Sequence, residues 1–173
     1  MDKCQRDLLR SVVVQCRTIL EESLGYVLEG DFGVDAKGYV EDESMLPHLD
    51  VDDLAARRVV VDHLSHFQAA GATPAQAVER AVREAAFTHL NRLCAYKMLE
   101  RRKVIRETVS RGTDSDGFKF YLADRPKEEL LWTSGRQDLA YRHFLTWRAE
   151  SLSDQISVLF SPNEIANYLL PQH

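Results

Sequence analysis

Three cysteines, five prolines and eight glycines are all that this chain of 173 residues holds of each type, and each scarcity removes a class of protein. Cys4, Cys16 and Cys94 are odd in number, widely spaced and form no C-x-x-C pair. They outline neither a disulfide framework nor a zinc knuckle, and they fit a reducing, cytoplasmic setting. Glycine and proline are too few for a chain of short strands joined by tight turns. No stretch approaches the roughly 18 consecutive apolar residues of a membrane span, and MDKCQRDLLR lacks the apolar core of a signal peptide, so no membrane partner is expected. The glycines form no G-x-G, no G-x-x-x-x-G-K-[ST] and no G-x-S-x-G. A backbone cradle for a nucleotide and a strained nucleophile turn are therefore both missing.

What is present points to helix. Hydrophobic residues make up 45% and charged residues 28%, which is globular usage and argues against disorder throughout. The formal net charge of −5 speaks against coating nucleic acid by bulk charge. Its distribution is lopsided: residues 29–53 carry nine acids against Lys37 alone, and residues 79–111 carry nine bases against four acids.

Leu9, Val13, Cys16, Leu20, Leu24 and Val27 recur at steps of three and four, which predicts a helix over 1–29. Residues 30–50, rich in Gly and Asp, read as an exposed acidic loop or short hairpin. Asp50 caps a second helix that stops at Gly71, and Thr73-Pro74-Ala75-Gln76 is a capping box with proline at the first helical position, opening a third helix that runs to about Arg102. Residues 51–102 thus hold two core helices, the third apolar on most of its circumference and central to a bundle. KVIRETV and GFKFYLA flank the turn cluster RGTDSDG, and their β-branched and aromatic content predicts a small β-hairpin near 103–123 within a hairpin or loop region over 103–136. Gln137 to Phe160 reads as a fourth helix, and Ser161-Pro162-Asn163-Glu164 as the cap of a short last one ending at Pro171. The expectation is a mainly α single domain, a helical bundle around a long central helix.

Chemistry-bearing residues are sparse. His63 and His66 share a helix face at i and i+3, but two imidazoles without H-E-x-x-H or a cysteine cluster are not a metal site, and none is expected. Asp31, Asp35 and Lys37 resemble a magnesium nuclease constellation only faintly, at too short a spacing. The run Arg101-Arg102-Lys103 with Arg106 ends the third helix, where positive charge complements the helix dipole. Together with Arg92 these form a basic band suited to DNA phosphate. Asn91 and Arg92 lie in the most apolar part of that helix, where an unpartnered polar group costs about 1–3 kcal/mol, so both are expected to bond neighbouring helix ends and fix packing.

Ala85-Ala-Phe-Thr-His-Leu-Asn-Arg-Leu-Cys-Ala-Tyr-Lys-Met-Leu-Glu100 resembles the helical signature A-x-x-x-F/L-N-R-L-x-A-x-x-x-M/L-E near the N-terminus of large bacterial adenine-specific DNA methyltransferases, those of type IIG restriction-modification and BREX-type phage-defence systems. A second stretch is similar to the same family: Tyr141-Arg-His-Phe-Leu-Thr-Trp147, then Leu152-Ser-Asp-Gln-Ile-Ser-Val-Leu-Phe-Ser-Pro-Asn163, then Tyr168-Leu-Leu-Pro171, with Gln155 where the family carries an acid. The resemblance spans roughly residues 55–171. It implies a helical domain of an S-adenosylmethionine-dependent enzyme, partnered by the catalytic methyltransferase domain of the same polypeptide, by DNA and by defence-system subunits. The family's N/D-P-P-Y/F motif, which holds a flipped adenine, is absent, as is a Gly-bearing loop for the cofactor. The expectation is therefore an N-terminal fragment with no catalytic residue and no cofactor of its own. A free-standing helical adaptor for protein–protein interaction is the alternative.

Overall fold

The computed structural model describes residues 2–161 and 164–171, and helices dominate it. Helix α1 spans Lys3–Gly30, α2 Val51–Ala69, α3 Pro74–Arg101, α4 Asp116–Ala123, α5 Pro126–Thr133, α6 Gln137–Leu152 and α7 Ser157–Phe160. Among the described residues no strand forms beyond an isolated antiparallel bridge between Val34 and Val40. Two compact units are distinguished: residues up to Leu90 together with those from Glu164 on, and residues from Asn91 to Ser161. α3 contributes side chains to the cores of both.

In the first unit the helix ends follow local chemistry. Asp2 and Gln5 exchange side-chain-to-backbone bonds at the start of α1, and Asp50 and Asp53 do the same for α2. Thr73 and Gln76 complete the third capping box, the Gln76 amide donating to Thr73 Oγ1 over 3.3 Å. α2 closes in a Schellman motif, the Gly71 amide bonding the Gln68 carbonyl and the Ala72 amide the Phe67 carbonyl, with Gly71 at φ +97°. Leu24, Leu28, Val60, Leu64, Ala77, Ala81, Ala85 and Ala86 form the core, joined by Ile165, Ala166 and Leu169. Each large side chain buried there contributes about 1.5–3 kcal/mol. Only the second half of α1 takes part: Leu8, Leu9, Val12, Val13 and Ile19 are exposed, whereas Leu20 is buried.

The acidic stretch is a built loop. Arg57, only 4% exposed, reaches from α2 to donate Nε to the Phe32 carbonyl over 2.8 Å and Nη2 to the Glu41 carbonyl. Asp35 Oδ1 accepts the Lys37 and Tyr39 amides, closing the turn that carries the Val34–Val40 bridge.

The second unit departs from the sequence expectation. The hairpin near 103–123 does not form: 116–123 is α4, and 126–133 within the expected loop is α5. The aromatic residues that read as strand formers are spaced as a helix needs them. Phe118 and Tyr121, at i and i+3, face Tyr141, Phe144 and Trp147 of α6, with centroids 5.2–5.4 Å apart for Phe118–Tyr141, Phe118–Phe144, Tyr121–Phe144 and Tyr121–Trp147. The fourth helix is also shorter than expected. Ser151 and Ser153 Oγ bond the carbonyls of Arg148 and Glu150, drawing the chain out of the helix at Leu152 before α7 begins at Ser157. Of the expected last helix, Pro162 and Asn163 lie outside the described residues, and Ile165–Asn167 forms a 3₁₀ turn instead. Ile165, Ala166 and Leu169 are all buried, so one turn suffices to seat its apolar residues in the core of the first unit.

Candidate functional site

The residues of the first signature stretch act as side-chain locks on backbone carbonyls. In the first unit His89, 9% exposed, presents Nε2 to the Leu169 carbonyl at 2.9 Å, so that nitrogen carries the proton. In the second unit Arg92, 5% exposed, donates Nε to the Leu159 carbonyl over 3.0 Å, at the end of α7. Tyr96 donates its hydroxyl to the Leu145 carbonyl over 3.2 Å and stacks on Phe160, and burial pushes its phenol well above the usual tyrosine range. Glu100 accepts the amides of Thr108 and Val109 and the hydroxyl of Ser110. Burial alone would raise the Glu100 carboxyl; hydrogen bonds from Ser110, Val109 and Thr108 outweigh it and hold the group below the usual glutamate value. The carbonyls of Leu169, Leu159 and Leu145 all belong to the second signature region, 141–171.

The expected basic band divides. Arg101, Arg102 and Lys103 are exposed at the end of α3. Lys103 takes φ +57°, and its amide and that of Val104 bond the Glu100 and Leu99 carbonyls, so it occupies the left-handed position of a Schellman motif usually held by glycine. Arg92 is withdrawn from the band by its burial, and Asn91 is half-buried. Arg106 turns elsewhere: its guanidinium lies 3.8 Å over the Phe120 ring.

There it meets two residues that the sequence did not single out. Arg125 stacks over Tyr121 at 4.5 Å and Trp147 at 4.6 Å, and Arg148 over Trp147 at 4.7 Å. The three line a cleft of about 340 Å³ with Val104, Ile105, Gly117, Phe120 and Asp124. Gly117 is required at its wall, because a Cβ there would collide with the Glu107 carbonyl oxygen that its own amide bonds. The remaining sequence candidates are engaged locally. His63 Nε2 lies 3.5 Å from Glu84, His66 bonds the Asp62 carbonyl, and Asp35 is committed to its turn. Among the described residues no group of three His, Cys, Asp or Glu side chains is placed to hold a metal ion, and no helix is long and apolar enough to cross a membrane.

Comparison with protein-family models, curated proteins and solved structures returned no match for the chain. The geometry therefore stands alone. It offers a locked helical scaffold, an exposed basic corner at the end of α3, and an arginine–aromatic cleft.

Proposed function

We propose that this chain is a non-catalytic helical domain supporting the catalytic part of an S-adenosylmethionine-dependent adenine-N6 DNA methyltransferase, cytoplasmic and serving restriction-modification or phage defence, with the Arg101–Arg102–Lys103 corner meeting DNA phosphate. One observation carries this reading. His89, Arg92 and Tyr96 of the first signature stretch hold the carbonyls of Leu169, Leu159 and Leu145 in the second, so the motifs that resemble the family do connected packing work. Connected packing work is what a support domain needs from a signature without a nucleophile or acid–base pair.

Fluorescence anisotropy with a labelled DNA duplex tests the contact. Binding should weaken steeply with salt, log K falling by about 0.9 per unit log[salt] for each phosphate neutralised, and an Arg101→Gln/Arg102→Gln variant should show a shallower slope. No binding even at low salt removes the DNA contact. The encoding locus tests the larger claim: a frame running past codon 173 into a Gly-rich loop and an N-P-P-Y-like motif supports it, and a stop codon there removes it.

A second reading, the helical adaptor, draws on the exposed apolar residues Leu8, Leu9, Val12 and Val13 in the outer turns of α1. Such an adaptor binds another protein through that stripe or the acidic loop, and a stable oligomer formed through Leu9 and Val13 would favour it. Light scattering that finds a monomer in both the wild type and Val13→Glu leaves it without its proposed interface on α1.

A further inference from the structure

Several arginines elsewhere in the chain sit beside acids. Arg17, Arg57, Arg58, Arg83 and Arg111 each lie within 4 Å of a carboxylate. Arg106, Arg125 and Arg148 make no such pair among the described residues, although they line one cleft, where Asp124 is the only acid. Three cations against one lining acid leave an excess of positive charge that favours a bound anion. Their position is also restrained. The guanidinium groups lie over Phe120, over Tyr121 and Trp147, and over Trp147 and Phe144, and an arginine held over an aromatic ring is a residue suited to bidentate donation to phosphate oxygens.

We propose that the cleft lined by Arg106, Arg125, Arg148, Phe120 and Trp147 is a binding site for a phosphate group carried by a nucleotide, free or within a DNA strand. The cleft volume, about 340 Å³, exceeds what inorganic phosphate fills and reaches the lower end of small-molecule sites. Phe120, 52% exposed, leaves ring surface at the cleft mouth for a base to stack on. Arg148 Nε is enclosed and has no hydrogen-bond partner among the described residues. Burial, followed by the charge of Arg106, holds the Arg148 guanidinium below the usual arginine value, as expected where cations crowd an apolar wall. This inference does not depend on the methyltransferase reading.

The test uses the full chain carrying Trp132→Phe, which leaves Trp147 as the single tryptophan and places the reporter in the cleft. Its fluorescence and the heat of titration are followed with dAMP, a single-stranded oligonucleotide, adenosine, inorganic phosphate and an acidic peptide. Saturable responses to dAMP or to the oligonucleotide, with none to adenosine, are expected, and the stronger of the two identifies the source. Arg106→Gln and Arg125→Gln should each raise Kd about tenfold or more with the helical circular dichroism unchanged, as loss of a charge-assisted donor requires. No saturable response to a nucleotide phosphate, equal binding by these variants, or equal affinity for inorganic phosphate or the acidic peptide overturns the proposal. Duplex binding that falls in Arg101→Gln/Arg102→Gln while the cleft stays silent overturns this inference alone and leaves the DNA contact at α3 standing.

Discussion

Glu100→Ala should unlock the segment that succeeds α3. Residues 104–115 contain no helix beyond the 3₁₀ turn Gly112–Asp114, so their amides lack the partners that regular structure provides. Glu100 fills that gap by accepting from Thr108, Val109 and Ser110, and Lys97 Nζ supports the arrangement by donating to Ser110 Oγ over 2.7 Å. Thr108 is fully buried. Each amide left without an acceptor in such surroundings costs about 1–3 kcal/mol, so the loss for Ala, which strands two, is about 2–6 kcal/mol. Glu100→Gln keeps one oxygen for the two amides and should lose about 1–2 kcal/mol. Urea unfolding followed by tryptophan fluorescence reads the second unit, because Trp132 and Trp147 both lie there. The pH dependence has a fixed sign. A carboxyl whose folded pKa lies below its ordinary 4.5 stabilises the fold above that value and loses this contribution as pH falls through the folded pKa. Glu100→Gln should therefore flatten the acid limb below pH 4.5. An alanine variant within about 0.5 kcal/mol of wild type, or a glutamine variant as unstable as alanine, would refute the reasoning.

Arg57→Ala strands the Phe32 and Glu41 carbonyls and should cost about 2–5 kcal/mol, with limited proteolysis reporting new cleavage in residues 30–50. Gly117→Ala forces a Cβ against the Glu107 carbonyl and should destabilise by about 1–3 kcal/mol or more in the same urea assay; an unchanged midpoint would mean that α4 slides freely. Lys103→Gly relieves a left-handed lysine and should stabilise by about 0.5–1 kcal/mol while removing a charge from the α3 corner, so a raised Tm with weakened duplex binding is expected. Arg92→Met removes the donor to the Leu159 carbonyl and should lower stability by about 1–3 kcal/mol without altering the salt slope of duplex binding, since the residue is buried.

The first three helices were legible because their ends are written locally: Asp50 with Asp53, Thr73 with Gln76, and Gly71 set the boundaries through bonds spanning a few residues. α5 carries equally plain signals, Pro126 at its first position, Glu128 and Glu129 in its first turn and Gly135 at φ +86° after it, yet it reads as loop because its eight residues hold no buried side chain and show no strong apolar period. α4 was hidden by composition. Val, Ile, Phe and Tyr around residue 112 favour strands on average, and only the aromatic surface of α6 decides for helix. The inward role of Arg92 followed from its apolar surroundings, whereas its partner Leu159, 67 residues away, left no trace in local pattern.

The same distinction separates scaffold from candidate site. Asn91-Arg92 is conspicuous because polar residues stand where the helix is otherwise apolar, and Arg92, buried there, turns inward to the Leu159 carbonyl. Conspicuousness in sequence thus selects for packing. Arg125 and Arg148 were inconspicuous for another reason: each reads as one ordinary surface charge with an acid close by in sequence, Asp124 or Glu150, and only the fold brings both onto Trp147. Of the five basic candidates, Arg106 alone joins them, and it does so because the chain leaves α3 through a left-handed Lys103 and returns across Phe120. The resemblance therefore rests on residues that hold the two units together internally, His89 in the first and Arg92 and Tyr96 in the second, while the concentration of positive charge in the cleft rests on residues outside the first signature stretch. A search for ligand chemistry confined to that stretch would miss the cleft.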